Sequence, residues 1–240
     1  MGFKSTGSMA RNSHFERAFT LIELLVVIAV IAVLISIAYP VYTGMLERGK
    51  ATKDMSNLRQ IGTATQAFMN DNDGALFPPS TPSFTPPTWM FQLNPKYLPS
   101  WAILQSPFDQ RTPSESGGGS TPISYGVNVN VYSGTTALSA TRITKPTAFI
   151  LFAPAQASGT IVSFSGWATS PAAGVTVKGI GGNNATSVPG GNAIGGTHGN
   201  RQRINALFAD LHCETMSWAT FTNNAVTPGD PDGYLRWNPF

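Results

Sequence analysis

Between Phe19 and Tyr39 the chain reads FTLIELLVVIAVIAVLISIAY, an apolar run interrupted by one charge, Glu23. At about 1.5 Å per residue, a helix over this run is roughly 30 Å long, the thickness of a bilayer's hydrocarbon core. The run predicts a membrane segment. A secretory signal would have a shorter apolar stretch ending in a small-x-small cleavage site, which Ser36-Ile37-Ala38-Tyr39-Pro40-Val41-Tyr42 does not offer. Lys4, Arg11 and Arg17 precede the run, which predicts that residues 1–18 stay in the cytoplasm and that the chain after Tyr39 is exported. Glu23 is the residue out of place. A carboxylate is penalised in hydrocarbon, and no partner for it is evident within the helix, so it needs one from elsewhere or a position at the solvated headgroup level.

The rest of the chain has the means to fold. It has 240 residues, 42% hydrophobic and 11% charged, a balance that supports a packed core and excludes disorder. The formal charge is +3, from 15 basic and 12 acidic residues; without residues 1–18 (Lys4, Arg11, Arg17 and Glu16) it is 12 against 11. Net charge therefore implies no nucleic-acid partner. The single Cys213 excludes an intrachain disulfide and a multi-cysteine zinc site. No phosphate-binding loop, serine nucleophile elbow or pair of catalytic carboxylates is present, so the chain reads as neither an enzyme nor a cofactor protein.

Pro40, Gly44 and Gly49 are weak points for a helix, because proline removes a donor and glycine costs about 1 kcal/mol relative to alanine. A kink or locally melted stretch is expected near Pro40. Helical periodicity then resumes: Ala51, Met55, Leu58, Gly62, Thr65 and Met69, widened by Ile61 and Phe68, form a stripe opposite a polar face of Glu47, Arg48, Lys50, Lys53, Asp54 and Arg59. Asn70-Asp71-Asn72-Asp73-Gly74 marks the end. The expectation is one interrupted helix, Phe19 to Asp71, about 80 Å long. Asp71 and Asp73 have the alternation of a calcium loop but no following Glu, so the cluster reads as a cap; Asp230-Pro231-Asp232-Gly233 likewise reads first as a turn.

Beyond it, a proline-rich loop (residues 77–88) and a Gly/Ser loop (114–121) separate short apolar runs suited to strands: 124–132, 147–153, 160–167, 174–180, 204–209 and 212–218. Short strands with turns and no helices between them predict an antiparallel sheet, with 179–199 a long glycine-rich loop. The fold class is α+β. His198, Asp210, His212, Cys213 and Glu214 invite a metal or catalytic reading. Strand alternation places His212 and Glu214 on one face and Cys213 on the other, so the expectation is a hairpin whose turn Asp210 organises by accepting backbone N–H bonds.

Arg17-Ala18-Phe19-Thr20-Leu21-Ile22-Glu23-Leu24-Leu25-Val26-Val27 resembles the processing and assembly segment of type IV pilins and type II secretion pseudopilins. The resemblance implies cleavage between Ala18 and Phe19 by a prepilin peptidase, N-methylation of Phe19, and pairing of Glu23 with the terminal amine of a neighbouring subunit. It also implies a helix that loses regularity at Pro40 in the filament. The family usually has Gly where this chain has Ala18. Four further segments, residues 56–62, 70–74, 124–128 and 206–210, resemble a pilin-like subgroup with an H-x9-DG C-terminal region. Here the chain departs from it, with Leu211 in place of Gly, eleven residues between His198 and Asp210, and Ser106-Pro107 in place of Cys-Pro.

What the resemblance implies is a filament subunit with a leader (1–18), a hydrophobic assembly helix (19–54) and a globular head (55–240). It would be an inner-membrane precursor in contact with lipid, its head in the periplasm, later assembled into a pilus or secretion pseudopilus. Its partners would be other copies of itself, the peptidase, an inner-membrane assembly platform and an assembly ATPase. The alternatives are a minor priming pseudopilin and a membrane-anchored binding module that never polymerises.

Overall fold

The computed structural model describes residues 19–77, 89–133, 136–157, 159–164, 166, 176–177, 186–187 and 194–240. The chain divides into two compact units, Met1–Met45 and Leu46–Phe240. In the first, the described residues are almost entirely helix α1 (Leu21–Asp71), which continues into the second unit. The apolar side chains of α1 from Leu21 to Leu46 are exposed, as a segment meant for lipid or for other helices requires. By length and composition α1 can cross a membrane.

No melted stretch interrupts α1 at Pro40. A proline removes one helical donor, the one that would reach the Ser36 carbonyl. Hydroxyls bond to carbonyls on either side: Ser36 Oγ donates to Val33 O (2.7 Å) and Thr43 Oγ1 to Pro40 O (3.0 Å).

The Leu46–Phe240 unit is built around a six-stranded sheet. Its strands in chain order are β1 (Tyr125–Asn128), β4 (Ile150–Pro154), β5 (Thr176–Val177), β6 (Thr186–Ser187), β7 (Arg203–Phe208) and β8 (Cys213–Ser217); β2 (Tyr132–Ser133) and β3 (Thr136–Ala137) pair separately. The spatial order is β6-β5-β1-β4-β7-β8, with the four strands β1-β4-β7-β8 antiparallel and β5 parallel to β1. Short helices α2 (Trp89–Leu93) and α3 (Trp218–Thr222) also form, where strands alone were expected between α1 and the end. The expected strand at 160–167 is not one in its described residues. In that run Phe164 and Gly166 are buried while Ile161 stays 72% exposed, and residues 165 and 167 lie outside the described residues. Most of the 77–88, 174–180 and 179–199 segments lie outside the described residues.

Period-two alternation along β7 gives the unit its layers. Leu207 faces α1, where Gly62 lets the strand approach: a Cβ there would sit 3.1 Å from Leu207 Cδ1. Leu58, Ile61, Ala64, Phe68 and Met69 of α1 join Phe77, Trp89, Tyr125, Phe149 and Phe152 in this core, with Trp89 and Phe152 edge-on at 4.7 Å. Ile204, Ala206 and Phe208 face the other way, into a second core with Ile150, Met216, Phe221 and Trp237. The C-terminal segment closes that face: Ile150 N donates to Arg236 O, Thr144 N to Pro239 O, and Trp237 Nε1 to Phe221 O.

The polar face expected on α1 needs one correction. Asp54 is fully buried. Its Oδ1 accepts from Ser106 Oγ (2.6 Å) and Tyr125 Oη (2.7 Å), and its Oδ2 from Asn205 Nδ2 (2.9 Å). Asn205 also donates to Ala51 O and accepts from Thr215 Oγ1. The buried Asn57 reaches Gln105 O at 3.0 Å. The stripe therefore packs a polar patch at Asp54 and Asn57 and an apolar one from Leu58 onward, while Ala51 and Met55 are only half-buried.

Candidate assembly site and the C-terminal motif

At the start of α1, Thr20 and Glu23 hold each other. Thr20 N and Oγ1 donate to Glu23 Oε2 at 2.9 and 2.7 Å, and Glu23 N donates to Thr20 Oγ1 at 3.3 Å. This is the reciprocal capping box, in which a Thr before the first turn and a Glu three residues on satisfy donors that a helix N-terminus leaves open. No partner for Glu23 is evident within the helix; Thr20, just ahead of α1, serves its hydrogen bonds. The signal was legible as T-x-x-E ahead of an apolar run. Thr20 satisfies hydrogen bonds but brings no charge, so the carboxylate remains available to a cation. Phe19 is 78% exposed, and Phe19, Ile22, Glu23, Val26 and Val27 line a groove of about 400 Å³. Ala18 lies outside the described residues.

Three of the four acids in the two clusters, Asp71, Asp230 and Asp232, are ion-paired. Asp71 Oδ2 accepts from Lys96 Nζ and Tyr97 Oη, both at 2.8 Å, and these bonds hold its carboxyl below the usual range. Asp73 and Gly74 take positive φ (52° and 75°), and Gly74 N returns to Met69 O, ending the helix. Asp230 is gripped by Arg236 through two bonds of 2.8 Å, and Asp232 by Lys145 at 2.6 Å. Carboxylates committed to cations are poor calcium ligands. Among the described residues no three His, Cys, Asp or Glu side chains converge to hold a metal.

The C-terminal motif is split by β7. His198 bridges Arg203 at the strand's start, while Asp210 follows its end, about 16 Å away along an extended strand. His198 is buried, stacked at 5.8 Å on Phe108, and burial pulls its pKa down. At the other end Asp210 organises the turn as expected, accepting from His212 N (3.2 Å) and pairing with His212 Nδ1. Leu211 carries φ 71°, a left-handed conformation that favours glycine.

Strand alternation does not separate His212 from Cys213, because β8 begins only at Cys213. Both line an open groove of about 610 Å³ with Leu211 and with Arg59, Thr63 and Gln66 of α1. Cys213 is half-buried there, and burial pushes its thiol up to about 11. We expect alkylation by iodoacetamide at pH 8 to run roughly a hundredfold slower than for an ordinary cysteine, since the thiolate reacts and its fraction falls tenfold per unit. Intact-mass time courses check this, and labelling at the rate of free cysteine would contradict it.

Comparison with known proteins reaches the amino-terminal segment. Residues 14–39 match the family model of the prokaryotic N-terminal methylation motif. Over 65 residues the chain is 39% identical to a type IV major pilin of Myxococcus xanthus (strain DK1622), covering 27% of this chain and 30% of that protein. Over 60 residues it is 37% identical to a type IV major fimbrial protein of Dichelobacter nodosus, covering 25% of this chain and 38% of the relative. The matched stretch is thus about a third of each relative's length. No solved structure matches the chain.

Proposed function

We propose that this chain, whose amino-terminal segment is that of the type IV pilin family, is the structural subunit of a pilus-like filament. One observation carries the reading. An ionisable side chain, Glu23, is retained in a helix otherwise apolar to Tyr39, and the capping box satisfies its hydrogen bonds without neutralising its charge. In a bundle of such helices that charge needs a cation, and a neighbour's Phe19 amine would supply it, provided the chain is first cut after Ala18.

The sequence of events in this reading is insertion as an inner-membrane precursor with the head in the periplasm, cleavage and N-methylation by a prepilin peptidase, and packing of α1 helices during assembly. An assembly platform and an ATPase are required as partners, since the chain has no nucleotide-binding motif of its own. Residues 1–18 serve as leader, 19–54 as assembly helix and 55–240 as head. The product is a pilus or a secretion pseudopilus at the cell surface or in the periplasm.

Terminal sequencing of membrane-extracted protein tests the processing step. The expected amino terminus is N-methyl-Phe19. A mature start at Met1, or one beyond residue 38, would remove the amine on which the pairing depends.

A further inference from the structure

The polar part of α1 just past its apolar stretch differs from its appearance in the sequence. Residues 41–59 contain two acids and four basic residues: Glu47 and Asp54 against Arg48, Lys50, Lys53 and Arg59. Both acids turn toward the head. Glu47 Oε1 accepts from Gly199 N at 3.0 Å, and Asp54 is enclosed by Ser106, Tyr125 and Asn205. Arg48, Lys50 and Lys53 remain exposed, and among the described residues none of them takes part in an ion pair. At about 100° per residue the three are spread around the helix, forming a collar rather than a stripe.

The collar follows directly on the membrane-type surface. Leu46 is the last exposed large apolar side chain of the α1 run, and Arg48 comes two residues later. Tyr39 and Tyr42, exposed at 66% and 60%, are the aromatic residues that favour a headgroup boundary. Long basic side chains at such a boundary lay their stems along apolar surface and hold their charge among the headgroups. The four basic residues beyond the span, Arg48, Lys50, Lys53 and Arg59, outnumber the three before it, Lys4, Arg11 and Arg17. The positive-inside tendency disfavours basic residues on an exported side, so their retention calls for a compensating interaction.

We propose that Arg48, Lys50 and Lys53 bind anionic phospholipid headgroups and so set the depth at which the subunit rests in the membrane before assembly. This rests on the reading of α1 as membrane-inserted. With Asp54 buried and Glu47 drawn to Gly199 N, the fully exposed charges of this stretch are basic, and each basic side chain at a bilayer surface raises anionic-lipid partitioning by about fivefold. Subunit addition would then exchange these lipid contacts for contacts within the filament.

The test uses the full-length chain in nanodiscs of equal phosphatidylglycerol and phosphatidylcholine, with retained lipids counted by native mass spectrometry. Wild-type protein should retain phosphatidylglycerol several-fold over phosphatidylcholine, with the excess falling in high salt. The triple variant Arg48→Gln, Lys50→Gln, Lys53→Gln should lower the ratio several-fold, the remainder reflecting Lys4, Arg11 and Arg17, while Arg59→Gln, further along the helix, should leave it unchanged. Parity in the wild type overturns the proposal, as does an excess that the triple substitution leaves undiminished, which would assign it to the residues before the span. Carbonate extraction of cell membranes separates the two levels of inference. A chain that carbonate releases refutes membrane insertion and the lipid collar with it, whereas a retained chain without lipid preference refutes the collar alone.

Discussion

Replacing Glu23 with Gln should leave membrane insertion and cleavage at Phe19 intact while filament yield falls about tenfold or more, because one partner of a buried pair is left uncompensated. The capping box makes this substitution informative. Gln can also reach back to the Thr20 N–H, so the helix start is preserved and only the charge is lost. Glu23→Ala removes cap and charge together and should in addition fray the first turn of α1. The readouts are sheared filament quantified against processed protein remaining in the membrane, and the amino-terminal sequence of both fractions. Wild-type yield from Glu23→Gln would assign the residue to helix capping alone and favour a membrane-anchored module that does not polymerise.

The head has its own critical carboxylate. Asp54→Ala should lower the stability of the Leu46–Phe240 unit by about 3 kcal/mol, since it strands the hydroxyls of Ser106 and Tyr125 and the amide of Asn205 without their acceptor. For a unit of this size that corresponds to a thermal midpoint roughly 6–12 °C lower. Burial raises the Asp54 pKa above its ordinary value against the three bonds that lower it. A raised folded-state pKa contributes stability that is present below the unfolded value and lost as pH rises through the folded one. The stability gap between wild type and Asp54→Asn should therefore be widest in acid and narrow toward neutrality. Shifts at Asp71, Glu115 and Asp230, which run the opposite way, are common to both proteins and cancel in the difference. Midpoints for both proteins in the same detergent across that range provide the check, and a gap that widens with pH would contradict the buried-acid account.

Local pattern was sufficient where one element decides the outcome. The membrane-type run, the helix continuing to Asp71, the turn at Asp210 and the α+β class each follow from periodicity, caps or turn chemistry within a few residues of chain. The T-x-x-E box at Thr20 belonged to the same category and was there to be read. The fate of a charge depended instead on what packs against it from far along the chain. Nothing near Asp54 distinguishes it from Lys53 or Arg59; it is buried because Ser106, Tyr125 and Asn205 arrive from 52, 71 and 151 residues away with three donors. Glu47 is turned inward by Gly199, 152 residues on. His212 and Cys213 meet in one groove because the turn carries Leu211 at positive φ and delays the strand by a residue. The sequence by itself determined the apolar helix, the carboxylate within it and the α+β class. Tertiary structure alone decided which charges face inward and which encircle α1, because burial depends on long-range neighbours that no local periodicity encodes.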